Sequence, residues 1–137
     1  MKDASPRTIH LTEYTPPAWL VDSVHLTFRL SPDATRVRSR IAFRPNPETM
    51  SRAFFLHGEG LRLIGARIDG EAITPEVTAE GLTAEVPDAP FVFESEIEIA
   101  PEANTALEGL YLSNAMFCTQ CEAEGFRKIT YYPDRPD

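Results

Sequence analysis

Ten residues near the end of the chain, CTQCEAEGFR (118–127), concentrate its chemically capable side chains. Cys118 and Cys121 have the two-residue spacing of half a zinc knuckle or of a dithiol redox pair. A structural zinc would need a second pair of ligands, and these are the only two cysteines. A redox thiol needs a helix N-terminus or a nearby cation to lower its pKa, and the acidic neighbours Glu122 and Glu124 would raise it. Structural thiols, a redox pair and a metal half-site stand as readings in that order. Gln120, Glu122 and Glu124 are left. Acids in loops are usually only hydrated, yet loops held on rigid sheets are where binding residues gather.

Other candidates are sparser. His10, His25 and His57 are scattered and show no ligand spacing. There is no His-Glu-x-x-His and no Gly-x-Ser-x-Gly, so the chain holds no complete catalytic apparatus and no metal site of its own. Arg29, Arg36, Arg38, Arg40 and Arg44 form the one basic concentration. It reads as the solvated face of a hairpin lying opposite Glu94, Glu96 and Glu98, where crossed charges stabilise a sheet modestly. Contact with an acidic partner is the alternative.

Composition narrows the class. The 137 residues fit one domain, 1–137, with 42% hydrophobic and 25% charged residues. A chain this long buries enough surface to fold without metal or disulfides. Its formal charge of −8 repels phosphate backbones, which excludes a nucleic-acid partner. No apolar run is long enough to span a bilayer, and MKDASPRTIHLTEY lacks a signal-peptide core, so the expectation is no membrane and a cytoplasmic location.

The elements that must position these residues are strands. In SVHLTFRL, Val24, Leu26, Phe28 and Leu30 alternate with His25, Thr27 and Arg29, so the first set should face a core. RVRSRIAFR places Val37, Ile41 and Phe43 opposite the arginines, and SPDAT (31–35) joins the two as a hairpin. Phe54, Leu56, Leu61 and Leu63 flank a turn at HGEG (57–60). IGARI changes phase between Leu63 and Ile64, which signals a bulge, and ends in the hairpin dipeptide Asp69-Gly70. LTAEV (82–86), FVFESEIEI (91–99) and FRKITYY (126–132) complete the strand expectations, with loops at 1–19, 45–51, 87–90 and 101–124. Short strands between frequent turns, with no sustained helical period, describe an all-β antiparallel sandwich. The closing YYPDRPD reads as a linker cut before something further.

The segment 103–137, ANTALEGLYLSNAMFCTQCEAEGFRKITYYPDRPD, resembles the end of the N-terminal domain of bacterial aminopeptidase N, a zinc metallo-aminopeptidase family. VDSVHLTFRLSPDATRVRSRIAF and LHGEGLRLIGARIDGE are similar to the opening hairpin and central strands of that domain. The resemblance covers most of the chain and is weakest at 1–13 and 70–90. It implies a saddle-shaped antiparallel β-sandwich excised from a larger enzyme, whose zinc lies on a thermolysin-like catalytic domain absent from these residues. It further implies that Glu122 binds the free α-ammonium of a peptide substrate and that Gln120 borders the pocket for the first side chain. The partners implied are the peptide N-terminus and the enzyme's own catalytic domain, and the fragment alone would be inactive. A freestanding β-sandwich that binds a ligand or partner, with no enzyme attached, is the alternative.

Overall fold

The computed structural model describes residues 14–135. Ten strands form in chain order: β1 Trp19–Arg29, β2 Thr35–Pro45, β3 Phe55–His57, β4 Arg62–Ile68, β5 Glu71–Ile73, β6 Glu76–Val77, β7 Gly81–Thr83, β8 Phe91–Ile99, β9 Gly109–Ser113 and β10 Met116–Gln120. They pair as a five-stranded sheet in the order β1-β2-β8-β4-β5, a three-stranded sheet β3-β7-β6, and the hairpin β9-β10. Every strand pair is antiparallel, as the alternation of residue types requires.

Register follows from which side chains must leave water. Val37, Ile41 and Phe43 of β2 stand opposite Ile97, Phe93 and Phe91 of β8, and all six are buried. A one-residue slip would turn all of them to solvent, so the register is held strongly. Trp19, Phe43, Phe54 and Phe91 form the aromatic centre of the core. Trp19 meets Phe91 edge-on at 5.0 Å, and Phe43 meets Phe54 edge-on at 5.2 Å. Leu56 of β3 and Leu82 of β7, from the second layer, close the core from the other side.

The outer face of the large sheet carries the arginines, as the two-fold pattern demands. Arg36, Arg38 and Arg40 stand opposite Glu98, Glu96 and Glu94 in the ladder. Arg36 bonds Glu96 at 2.6 Å and Glu98 at 2.9 Å, and Arg62 of β4 bonds Glu98 from the far side. The phase change in β4 is a register shift between Leu63 and Gly65, the expected bulge. Asp69 and Gly70 both adopt positive φ, 51° and 82°, in the tight turn to β5.

Four expectations fail, each for a physical reason. FRKITYY (126–132) is not a strand. Phe126–Lys128 form a 3-10 turn, and only Tyr132 bridges, to His57. Burial of Ile129, Thr130 and Tyr131 uses the β-type side chains as core plugs, so tertiary packing overrides propensity. The expected loop 101–124 contains the β9-β10 hairpin, whose Asn114-Ala115 turn has φ of 50° and 64°. LTAEV is a strand only as far as Thr83. Val24, Phe28 and Leu30, expected in the core, are exposed, because β1 is an edge strand that the second layer does not reach. The expectations for 1–13, His10 among them, lie outside the described residues.

Candidate functional site

The β9-β10 hairpin carries Gln120 as its last strand residue, paired with Gly109. Gly109 has φ of 74°, and a Cβ there would stand 2.8 Å from Cβ of Lys128, so the hairpin base can press on the 3-10 turn only with glycine. Beyond Gln120 the chain turns at once. Gly125 N–H donates to the Cys121 carbonyl at 2.9 Å, and Glu124 takes a φ of 67°. A Cβ on Gly125 would fall 2.4 Å from the Gln120 carbonyl oxygen. Two glycines therefore set how tightly Gln120 and Glu122 are folded onto the hairpin end.

The turn is tied down from behind by a segment distant from it in chain terms. Asp134 Oδ2 accepts from Arg127 Nε at 3.0 Å and from Arg127 N–H at 3.3 Å, while the Asp134 carbonyl accepts from Arg127 Nη2 at 3.0 Å. Both side chains are largely buried. Asp134 N–H then donates to His57 Nδ1 at 3.1 Å. His57 and Tyr132 exchange both backbone bonds, at 2.8 and 3.1 Å, and Glu59 N–H donates to the Arg127 carbonyl. Burial, with the Arg127 charge second, pushes His57 below the ordinary histidine range, which suits an imidazole accepting a hydrogen bond. This Arg127–Asp134–His57 chain escaped sequence reasoning, since no local signal couples positions 57 and 134.

The turn's two acids differ. Glu124 lies 3.8 Å from the Arg127 guanidinium. The Glu122 carboxylate has no hydrogen bond or ion pair among the described residues and is exposed. Gln120 Oε1 accepts the Glu122 backbone N–H at 3.1 Å, which engages the amide's oxygen and leaves its NH2 group without a hydrogen bond among the described residues. Structure thus brings Gln120 and Glu122 together at one exposed corner. Such a corner can offer a carboxylate and an amide donor to a cationic, hydrogen-bonding ligand.

The cysteines do not converge on any ligand set. Cys118 and Cys121 are free and half-buried. Burial first, then Asp134, pushes the Cys121 thiol up, against thiolate chemistry. Among the described residues no group of three or more His, Cys, Asp or Glu could hold a metal ion. His57 Nδ1 is already an acceptor, and His25 stands exposed on the outer sheet face. These residues do not fit a zinc site. Among the described residues no helix is long and apolar enough to cross a membrane.

No family model matches the chain. It is 45% identical to aminopeptidase N of Caulobacter vibrioides over its whole length, which is 16% of that protein. Identity is 40% to aminopeptidase N of Escherichia coli, covering 96% of this chain and 15% of the relative. Over nearly all of its length the chain matches a small part of aminopeptidase N. It spans about one-sixth of the length of the curated relatives it matches, in their N-terminal part. The fold agrees. A crystal structure of Legionella pneumophila aminopeptidase A in complex with aspartic acid superimposes with a TM-score of 0.84 at 29% identity, covering 93% of this domain and 16% of that chain.

Proposed function

We propose that this chain is the substrate-anchoring N-terminal domain of a cytoplasmic, zinc-dependent aminopeptidase that releases N-terminal residues from peptides. Glu122 binds the free α-ammonium of the peptide, and Gln120 borders the pocket for the first side chain. The observation that carries this reading is the contrast within one turn: Glu124 is beside Arg127, and Glu122 is left with no cation. Similarity to aminopeptidase N supports the peptidase context. The catalytic zinc belongs to polypeptide beyond these residues.

The chemistry follows from the charge of a chain end. A carboxylate in a cleft closed by a neighbouring domain makes a short, charge-assisted bond to an ammonium. That contact sets the distance from the chain end to the scissile carbonyl. An internal amide offers no cation, so the carboxylate would stay unpaired and endopeptidase cleavage is penalised.

The test uses the full-length enzyme. Glu122→Ala lowers kcat/KM on unblocked peptides by the equivalent of roughly 2–5 kcal/mol, as loss of a desolvated charge partner does. An unchanged kcat/KM removes the assigned role. This 137-residue chain alone is expected to hydrolyse nothing, with or without added zinc, and zinc-dependent cleavage by the purified chain would overturn its inactivity.

A further inference from the structure

The outer face of the large sheet is more basic than its own ladder requires. Three rows cross it: Arg29, Arg36, Glu98 and Arg62; Thr27, Arg38, Glu96 and Gly65; His25, Arg40, Glu94 and Arg67. Six arginines therefore stand against three glutamates, on a chain whose formal charge is −8. Arg36, Arg38 and Arg62 divide Glu96 and Glu98 among them. Arg40 and Arg67 flank Glu94 from its two sides, yet neither makes a hydrogen bond or ion pair among the described residues. Both are exposed. Arg38 uses only Nε on Glu96, so its two terminal nitrogens have no bond among the described residues either.

Shape adds a second observation. This face is hollowed into a concavity of about 810 Å3, walled by His25, Arg38, Arg40, Arg67 and Glu94. Ala42, Gly65 and Ala72 supply small residues to its lining, and a Cβ built on Gly65 would meet nothing within 4 Å. Low-dielectric walls around a hollow with an excess of one charge focus its field and draw in the opposite charge.

Spacing selects the occupant. Arg38 and Arg40 are two residues apart on β2, about 7 Å along the strand, while Arg40 and Arg67 are two strands apart, about 10 Å. A lone carboxylate or phosphate reaches one of these cations. An extended polypeptide with an acid at every second residue repeats its carboxylates at the same spacing of about 7 Å. Each guanidinium fork can then take a carboxylate through two parallel bonds.

We propose that this hollow is a docking surface for an extended acidic segment of another protein, whose carboxylates pair with Arg38, Arg40 and Arg67. The segment lies on the face of the sheet through side-chain contacts and adds no strand to an edge. The inference does not depend on the anchoring role of Gln120 and Glu122.

Fluorescence anisotropy on the full-length enzyme tests it, with an N-acetylated, fluorescein-labelled peptide of alternating Glu and Ser as the probe. Saturable binding is expected, at least about 10-fold weaker in 0.5 M than in 0.05 M salt. The double substitution Arg40→Ala/Arg67→Ala should weaken it by at least about 10-fold. Glu94→Gln removes the acid between the two arginines and should tighten binding about 3-fold, a gain that misfolding cannot imitate. Absent binding, equal binding of an alternating Lys and Ser peptide, or an affinity that Glu94→Gln does not raise overturns the proposal. Full displacement by equimolar inorganic triphosphate overturns it in favour of a small anion. Self-association that the double substitution abolishes overturns it in favour of a second copy of the chain. Hydrolysis of unblocked peptides should be unchanged in both variants, so this proposal and the anchoring role can fail separately.

Discussion

Gly125 shows how one hydrogen in place of a methyl group shapes a candidate site. A Cβ would meet the Gln120 carbonyl oxygen at 2.4 Å and Cys121 Cα at 2.9 Å, and both are backbone atoms that cannot swing aside. Gly125→Ala is expected to cost about 1–3 kcal/mol of stability, as overpacking does, and to lower kcat/KM of the full-length enzyme. Thermal unfolding and kinetics on unblocked peptides check both effects; an unmoved Tm would mean that the turn has slack. His57 belongs to the same scale. Its folded pKa lies below its ordinary value, so the folded state resists protonation and the unfolded state takes the proton first. That contribution to stability is complete above about pH 6.5 and is lost as pH falls from there toward the folded pKa. Protonation also removes the acceptor for Asp134 N–H. Urea midpoints between pH 7.5 and 5.5 should fall, and His57→Gln should flatten that slope.

At the scale of elements, the β4-β5 turn and the β2-β8 ladder make separable predictions. Nothing lies within 4 Å of a Cβ built on Gly70, so a substitution there tests backbone strain alone. Gly70→Ala, held at φ of 82°, should cost about 1–2 kcal/mol in urea unfolding. A neutral result would mean that the turn re-forms with another geometry. In the ladder, hydrogen bonds from Arg36 first, and from Arg38 to Glu96 or the charge of Arg36 to Glu98 next, hold both carboxyls below the usual carboxylate range. Their contribution is present above the ordinary carboxylate pKa and is lost as pH falls through the folded values. Because these groups are partly open to solvent, the effect should shrink in high salt, which acid unfolding in 0.1 and 1 M salt would reveal.

Across the whole molecule, two segments about 70 residues apart in the chain meet at the candidate site's support. Residues 57–59 and 127–134 are joined by backbone bonds and by the Arg127–Asp134–His57 chain, so the turn bearing Gln120 and Glu122 is fastened to the three-stranded sheet. Asp134→Asn should therefore loosen the corner at a distance: KM for unblocked peptides rises in the full-length enzyme more than kcat falls. Equal kinetics would leave Asp134 a purely local staple.

Much of the fold was legible because a strand pattern is a local property. Alternation in 36–44 and 91–99, the bulge signal at Leu63-Ile64 and the Asp69-Gly70 turn each depend on neighbours in the chain, and the sequence by itself determined them. Resemblance singled out Gln120 and Glu122, and CTQCEAEGFR held them within two residues of each other. Only the tertiary structure decided which of two acids is left without a cation, because Arg127 reaches Glu124 only after the turn closes. It alone turned FRKITYY from strand to buried plug, since burial against a distant layer outweighs β propensity. And it alone left Val24 and Phe28 in water, because edge position is a matter of strand order, which no stretch of local sequence encodes.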